Sequence, residues 1–86
     1  MKIILAGSPK IAVETFEKII KNFDVVAIIT QPDRPKGRGN VIQETPVASL
    51  GKKHGIKTFK PQKVIEIEKE LKELDFDLLL TFAFGQ

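Results

Sequence analysis

Cysteine, tryptophan and tyrosine are absent from these 86 residues, and histidine and methionine occur once each. Without cysteine there can be no disulfide, no thiolate metal site and no cysteine nucleophile, and the redox compartment stays open. Long apolar runs are missing too. The longest uncharged stretch begins at Leu78, Leu79 and Leu80 and is far short of the roughly 20 residues that span a bilayer. The opening stretch Met1-Lys2-Ile3-Ile4-Leu5-Ala6-Gly7 is too short for a secretory signal and passes at once into a helix pattern. A cytoplasmic protein with no membrane association is the expectation. Glycine-rich phosphate cradles are also lacking. The first strand–helix turn, Gly7-Ser8-Pro9-Lys10, holds one glycine where a dinucleotide site needs three, and no Walker A sequence exists. Neither a nucleotide cofactor nor a metal is expected.

What is present is an ordinary soluble composition, 42% hydrophobic and 29% charged, with a net charge of +3. The charge is unevenly spread. Residues 31–63 carry eight Lys or Arg against Asp33 and Glu44, whereas 64–77 carry six acids against two Lys. A basic middle third suits a polyanionic partner, although a solvated lysine-rich surface accounts for the same count.

Strands and helices alternate along the chain. Lys2 to Ala6 reads as a short strand ending at Gly7, and Ser8-Pro9 as an N-cap followed by proline at the first helical position. Ala12, Val13, Phe16, Ile19, Ile20 and Phe23 then recur every three to four residues, giving an amphipathic helix that Asn22 can end. Val25 to Thr30 is apolar on both faces, as in parallel sheets covered by helices on both sides. Pro46 opens a short helix through Val47, Leu50 and His54, with Gly55 as C-cap. Ile56 to Phe59 is a brief third strand. Val64, Ile67, Leu71 and Leu74 mark a third helix, and Leu78 to Phe82 a fourth strand that needs cover on both faces. The pattern predicts an α/β class, Rossmann-like parallel sheet of about four strands with three helices. It supplies half of such a domain.

The stretch from Gln31 to Thr45 is longer than the usual connection in α/β units, and such loops are commonly functional. It reads as a loop with two Pro at one end and two Gly at the other, displaying Arg34, Lys36 and Arg38 above the carboxyl edge of the sheet. Arg38, between Gly37 and Gly39, has free access to a planar anionic or base-edge partner. His54 has no acid placed in sequence to orient it and reads as a surface or capping residue. Asp75 and Asp77 read as polar residues at a helix exit. Ser8, Thr30 and Ser49 carry no local nucleophile signature.

Ile4-Leu5-Ala6-Gly7-Ser8-Pro9, the string Thr30-Gln31-Pro32-Asp33-Arg34-Pro35-Lys36-Gly37-Arg38-Gly39, Thr45-Pro46-Val47 and Phe82-Ala83-Phe84-Gly85-Gln86 together resemble the methionyl-tRNA formyltransferases. The likeness runs in order over all 86 residues. It implies an enzyme that moves a formyl group from 10-formyltetrahydrofolate to the amino group of initiator methionyl-tRNA. On that likeness Arg34, Lys36, Arg38 and Asn40 contact tRNA, and Phe84, Gly85 and Gln86 border the folate site. The family's catalytic Asn, His and Asp, and its Ser-Leu-Leu-Pro motif, fall beyond Gln86. Residues 1–86 are therefore expected to be a truncated N-terminal portion of the formyltransferase domain, inactive alone, with no second domain and no catalytic residue. A catalytically dead tRNA-binding or structural remnant is the alternative. Three positions depart from the family pattern: Lys10 for Asp, Ile11 for Phe and Phe84 for Tyr. An open edge on the fourth strand further predicts self-association.

Overall fold

The computed structural model describes residues 1–36 and 41–82. In chain order the elements are strand β1 (Lys2–Gly7), helix α1 (Lys10–Asn22), strand β2 (Asp24–Ile29), strands β3 (Arg34–Lys36) and β4 (Val41–Gln43), helix α2 (Pro46–Lys53), strand β5 (Thr58–Phe59), a 3₁₀ turn (Val64–Ile67) running into helix α3 (Glu68–Glu73), and strand β6 (Leu78–Phe82). Four strands form one parallel sheet in the order β5-β2-β1-β6. The α/β Rossmann-like reading is borne out.

Side-chain alternation along β1 builds two cores, one on each face of the sheet. Ile3 and Leu5 point toward α1 and α2, where Ala12, Phe16, Val47 and Leu50 complete a buried cluster with Ile28. Ile4 and Ala6 point the other way and join Ala27 and Ile29, against which Ile67, Leu71 and Leu74 pack from the 3₁₀ turn and α3. This division follows from right-handed crossovers. The chain steps outward from β1 through β2 to β5 with its helices on one face, then returns to β6 across the other. An irregularity in the β1–β2 register between Ile3 and Ile4 leaves Val26 as the extra residue of β2.

Four local expectations are revised. Ser8 does not cap α1: the N-cap is Pro9, with extended backbone and no side-chain bond, because the Ser8 hydroxyl is engaged elsewhere. The third helix is broken, opening as a 3₁₀ turn over a segment rich in β-branched residues before α3 begins. The basic loop contains paired structure, since β3 and β4 form an antiparallel ribbon that aligns Arg34 with Gln43 and Lys36 with Val41. Asp75 and Asp77 do more than leave a helix. The Lys2 N–H donates to Asp77 Oδ2 at 2.8 Å, the Asp77 N–H donates to the Lys2 carbonyl at 2.8 Å, and Lys2 Nζ lies 3.4 Å from Asp75. The two carboxylates thus pin the start of β6 to the start of β1.

Two turns have specific steric requirements. At the end of β1, a Cβ on Gly7 would stand 2.6 Å from the Phe82 carbonyl oxygen and 2.9 Å from the Phe16 ring. Only glycine lets β6 approach this closely, and it leaves Phe16 and Phe82 edge-to-face at 6.5 Å. At the end of α2, Gly55 takes φ +65° and closes a Schellman motif, with Ile56 N–H donating to Gly51 O at 2.9 Å and Gly55 N–H to Lys52 O at 3.2 Å.

Candidate nucleic-acid interface and ligand crevice

In an open α/β sheet, ligands bind beyond the carboxyl ends of the strands where the strand order reverses. Here the chain moves from β1 toward β2 and β5, and β6 returns on the far side of β1. The reversal therefore falls between Gly7 and Phe82, which are register partners. Phe84, Gly85 and Gln86, expected to border the ligand, follow directly on β6 and lie outside the described residues.

Beside this crevice three hydroxyls from distant parts of the chain meet. Ser8 comes from the β1–α1 turn, Thr30 from the end of β2 and Thr45 from the start of α2. Thr30 is fully buried and Ser8 nearly so. The Ser8 oxygen accepts from the Gln31 N–H at 3.0 Å and from the Thr30 hydroxyl at 3.3 Å. Thr30 and Thr45 share a short hydroxyl–hydroxyl bond. Thr45 Oγ1 also accepts from the Ala48 N–H at 3.0 Å, as an N-cap with Pro46 behind it. Their partners are one another and backbone N–H groups, so the cluster fixes geometry and does not present a nucleophile. It joins the two ends of the basic stretch, since Thr30 leads into it and Thr45 ends it.

A second join consists of charges. Asp33 and Glu44 are the only acids between residues 31 and 63, and they flank the β3–β4 ribbon on either side. Lys60, just past β5, reaches both: Nζ lies 2.8 Å from Asp33 Oδ1 and 3.7 Å from Glu44 Oε2. Lys52 of α2 adds a contact to Glu44 at 3.4 Å. The hydrogen bond that Lys60 donates to Asp33 raises the ammonium above its ordinary pKa; burial opposes this by less than that bond contributes, and the charges of Asp33 and Glu44 add smaller increases. Between α2 and β5 an open groove of about 290 Å³ is lined by Glu44, Ala48, Lys52, Ile56, Thr58 and Lys60.

Of the expected tRNA-contacting residues, Arg34 and Lys36 stand at the two ends of β3. Arg38 and Asn40 lie outside the described residues. His54 sits at the C-cap of α2 with Nε2 at 4.0 Å from Glu17. That is the end of α2 away from the crevice, about 12 Å down an eight-residue helix, which agrees with a capping role. Sequence reasoning passed over Thr45, although Thr-Pro before an apolar run is a helix-start signal. It also missed Lys60, whose partners lie 27 and 16 residues away. Among the described residues no group of three or more His, Cys, Asp or Glu could hold a metal ion, and no helix is long and apolar enough to cross a membrane.

No protein-family model matches the chain. Over its whole length it is 49% identical to the methionyl-tRNA formyltransferase of Mycoplasmopsis pulmonis, 45% to that of Geotalea daltonii and 42% to that of Clostridium acetobutylicum. The resemblance read from the sequence thus holds from end to end of the chain. The chain spans 28–30% of the length of these relatives.

Proposed function

We propose that this chain forms the N-terminal part of a methionyl-tRNA formyltransferase, the part that offers a basic ribbon to initiator tRNA and one side of a formyl-folate crevice. The observation that carries this reading is the 49% identity over the complete chain to an enzyme of that name. The architecture supports it. The ribbon is rooted at the carboxyl end of β2, next to the hydroxyl cluster that Ser8 of the β1–α1 turn joins, so a polyanion held there lies on the carboxyl side of the sheet. Arg34, Lys36, Arg38 and Asn40 act on the tRNA, cations neutralising phosphates and the planar guanidinium of Arg38 serving a bidentate acceptor. Phe84, Gly85 and Gln86 border the 10-formyltetrahydrofolate that donates the formyl group. The working location is the cytoplasm.

Formyl transfer needs a donor aimed at the developing oxyanion and a base for the amine proton. His54, the sole imidazole, faces Glu17 at the wrong end of α2. The chemistry therefore depends on residues that the relatives carry outside the matched stretch, and residues 1–86 alone are inactive. The test is formylation of methionyl-tRNA from 10-formyltetrahydrofolate. The complete gene product carrying these residues turns over, and the 86-residue chain does not. In the complete enzyme Arg38→Ala weakens tRNA use while changing stability by no more than about 0.5 kcal/mol. Turnover by the short chain, or indifference of tRNA use to Arg38, would contradict this reading.

A further inference from the structure

Lys60 lies outside the basic ribbon and outside the crevice, yet its ammonium group joins the two segments on which the ribbon stands. We propose that Lys60 is a positioning residue for tRNA: by bridging Asp33 and Glu44 it holds the two stems of the β3–β4 ribbon together and fixes the ribbon against the end of β5. This rests on the reading of the ribbon as a tRNA-binding element.

The geometry is specific. Asp33 immediately precedes β3 and Glu44 immediately follows β4, so a single cation contacting both closes the base of the ribbon. The bridge lies on the outer side, whereas the Thr30–Thr45 hydroxyl bond closes the same base from inside. Lys52 holds Glu44 from α2, so the ion network also ties the ribbon to a helix packed on the core. Charge adds a second consequence. Asp33 and Glu44 are the only carboxylates in this basic third, and lysines engage both at the base of the ribbon. All three members are partly exposed, so the bridge contributes little to global stability. Its effect is on where the ribbon points.

The signs of two perturbations separate this role from simple electrostatics. In the complete enzyme, Lys60→Met removes the bridge and one positive charge. Asp33→Asn with Glu44→Gln also removes the bridge but makes the surface more positive by two charges. If charge alone governed tRNA capture, the two variants would move in opposite directions. A positioning role moves both the same way. Each partly exposed ion pair is worth up to about fivefold in an equilibrium constant. The KM for methionyl-tRNA should therefore rise about five- to twentyfold in both variants, with kcat and the KM for the formyl donor within about twofold and Lys60→Arg near wild type. An unchanged or lowered tRNA KM in Asp33→Asn/Glu44→Gln overturns the proposal. So does a fall in kcat without a change in KM. A wild-type enzyme that does not use methionyl-tRNA overturns the proposed function instead, and amide hydrogen exchange then decides the bridge. Faster exchange at Arg34–Lys36 and Val41–Gln43 in Lys60→Met upholds it, and unchanged exchange refutes it.

Discussion

Gly7 and Gly55 are both required by the fold for opposite physical reasons, and substitution separates them. Gly7 has an ordinary φ and lacks room; Gly55 has φ +65° and nothing within 4 Å of where a Cβ would sit. In Gly7→Ala the new methyl would meet the Phe82 carbonyl at 2.6 Å and two Phe16 ring carbons at 2.9 Å, against a comfortable separation of about 3.5 Å. Phe16 is buried at the centre of one core, and the carbonyl belongs to a strand held by the β1–β6 ladder. Relief therefore requires β6 to move by most of an ångström. Overpacking of this kind costs about 3 kcal/mol, offset by about 0.4–1 kcal/mol from the stiffer unfolded chain. The net loss of about 2 kcal/mol lowers Tm by about 8–16 °C in a domain of this size. Gly55→Ala costs about 1 kcal/mol, from backbone conformation alone. Asn tolerates the left-handed region, so Gly55→Asn recovers part of that loss, whereas Gly7→Asn is worse than Gly7→Ala. Urea unfolding of the four variants, read at constant slope, measures all of these. Wild-type stability in Gly7→Ala, or rescue by Asn at both positions, would refute the steric account of the β1–β6 junction.

Thr45→Val removes the α2 cap and one of the two partners of the buried Thr30 hydroxyl without changing shape, and should cost about 1–2 kcal/mol; an unchanged urea midpoint would count against the cap. Because the folded-state pKa of Lys60 is raised above its ordinary 10.5, its contribution is complete below pH 10.5 and disappears as pH rises through the folded value. The stability difference between wild type and Lys60→Met should accordingly be flat from neutral pH to about pH 10 and shrink above it, as thermal melts across that range would show. The outer edge of β6 pairs with no strand among the described residues, and it exposes Leu78, Leu79 and Phe82 at 39%, 41% and 40%. The isolated chain should therefore self-associate through this strand, giving a weight-average mass in sedimentation that rises with concentration. A persistent monomer with β6 protected from hydrogen exchange would show that the edge is closed within one chain.

How much was legible in the sequence depended on the range of each interaction. α1 and α2 were readable because Phe16 or Leu50 recurs with its neighbours at a helical period, and β2 because continuous apolar residues suit a strand buried on both faces. Ser8 misled. A serine before proline is a good cap locally, but its oxygen is taken by the Gln31 N–H, 23 residues on. The β3–β4 ribbon was hidden because Arg34-Pro35-Lys36 shows no apolar alternation and carries a proline, which a two-stranded edge tolerates. The hydroxyl cluster and the Lys60 bridge were invisible for a related reason. Each joins residues whose local settings are unremarkable, and only the turn of the sheet brings them together.

The pinning of β6 to β1 also bears on how the chain acquires its fold. The bond between Lys2 and Asp77 closes a separation of 75 residues, so the β1–β6 ladder joins segments far apart in sequence. Such non-local pairing is slow, because the entropy of closing the loop must be met before the ladder can reward it. On a ribosome adding about 5–20 residues per second, β1 is made first and acquires β2 as a partner within seconds. Its other edge stays bare until Leu78 to Phe82 arrive roughly 4–15 seconds after Lys2. During that interval Ile3, Ile4 and Leu5, later among the most deeply buried side chains, form a half-paired strand. A nascent-chain chaperone or a neighbouring copy could occupy that edge in this window and at no later stage.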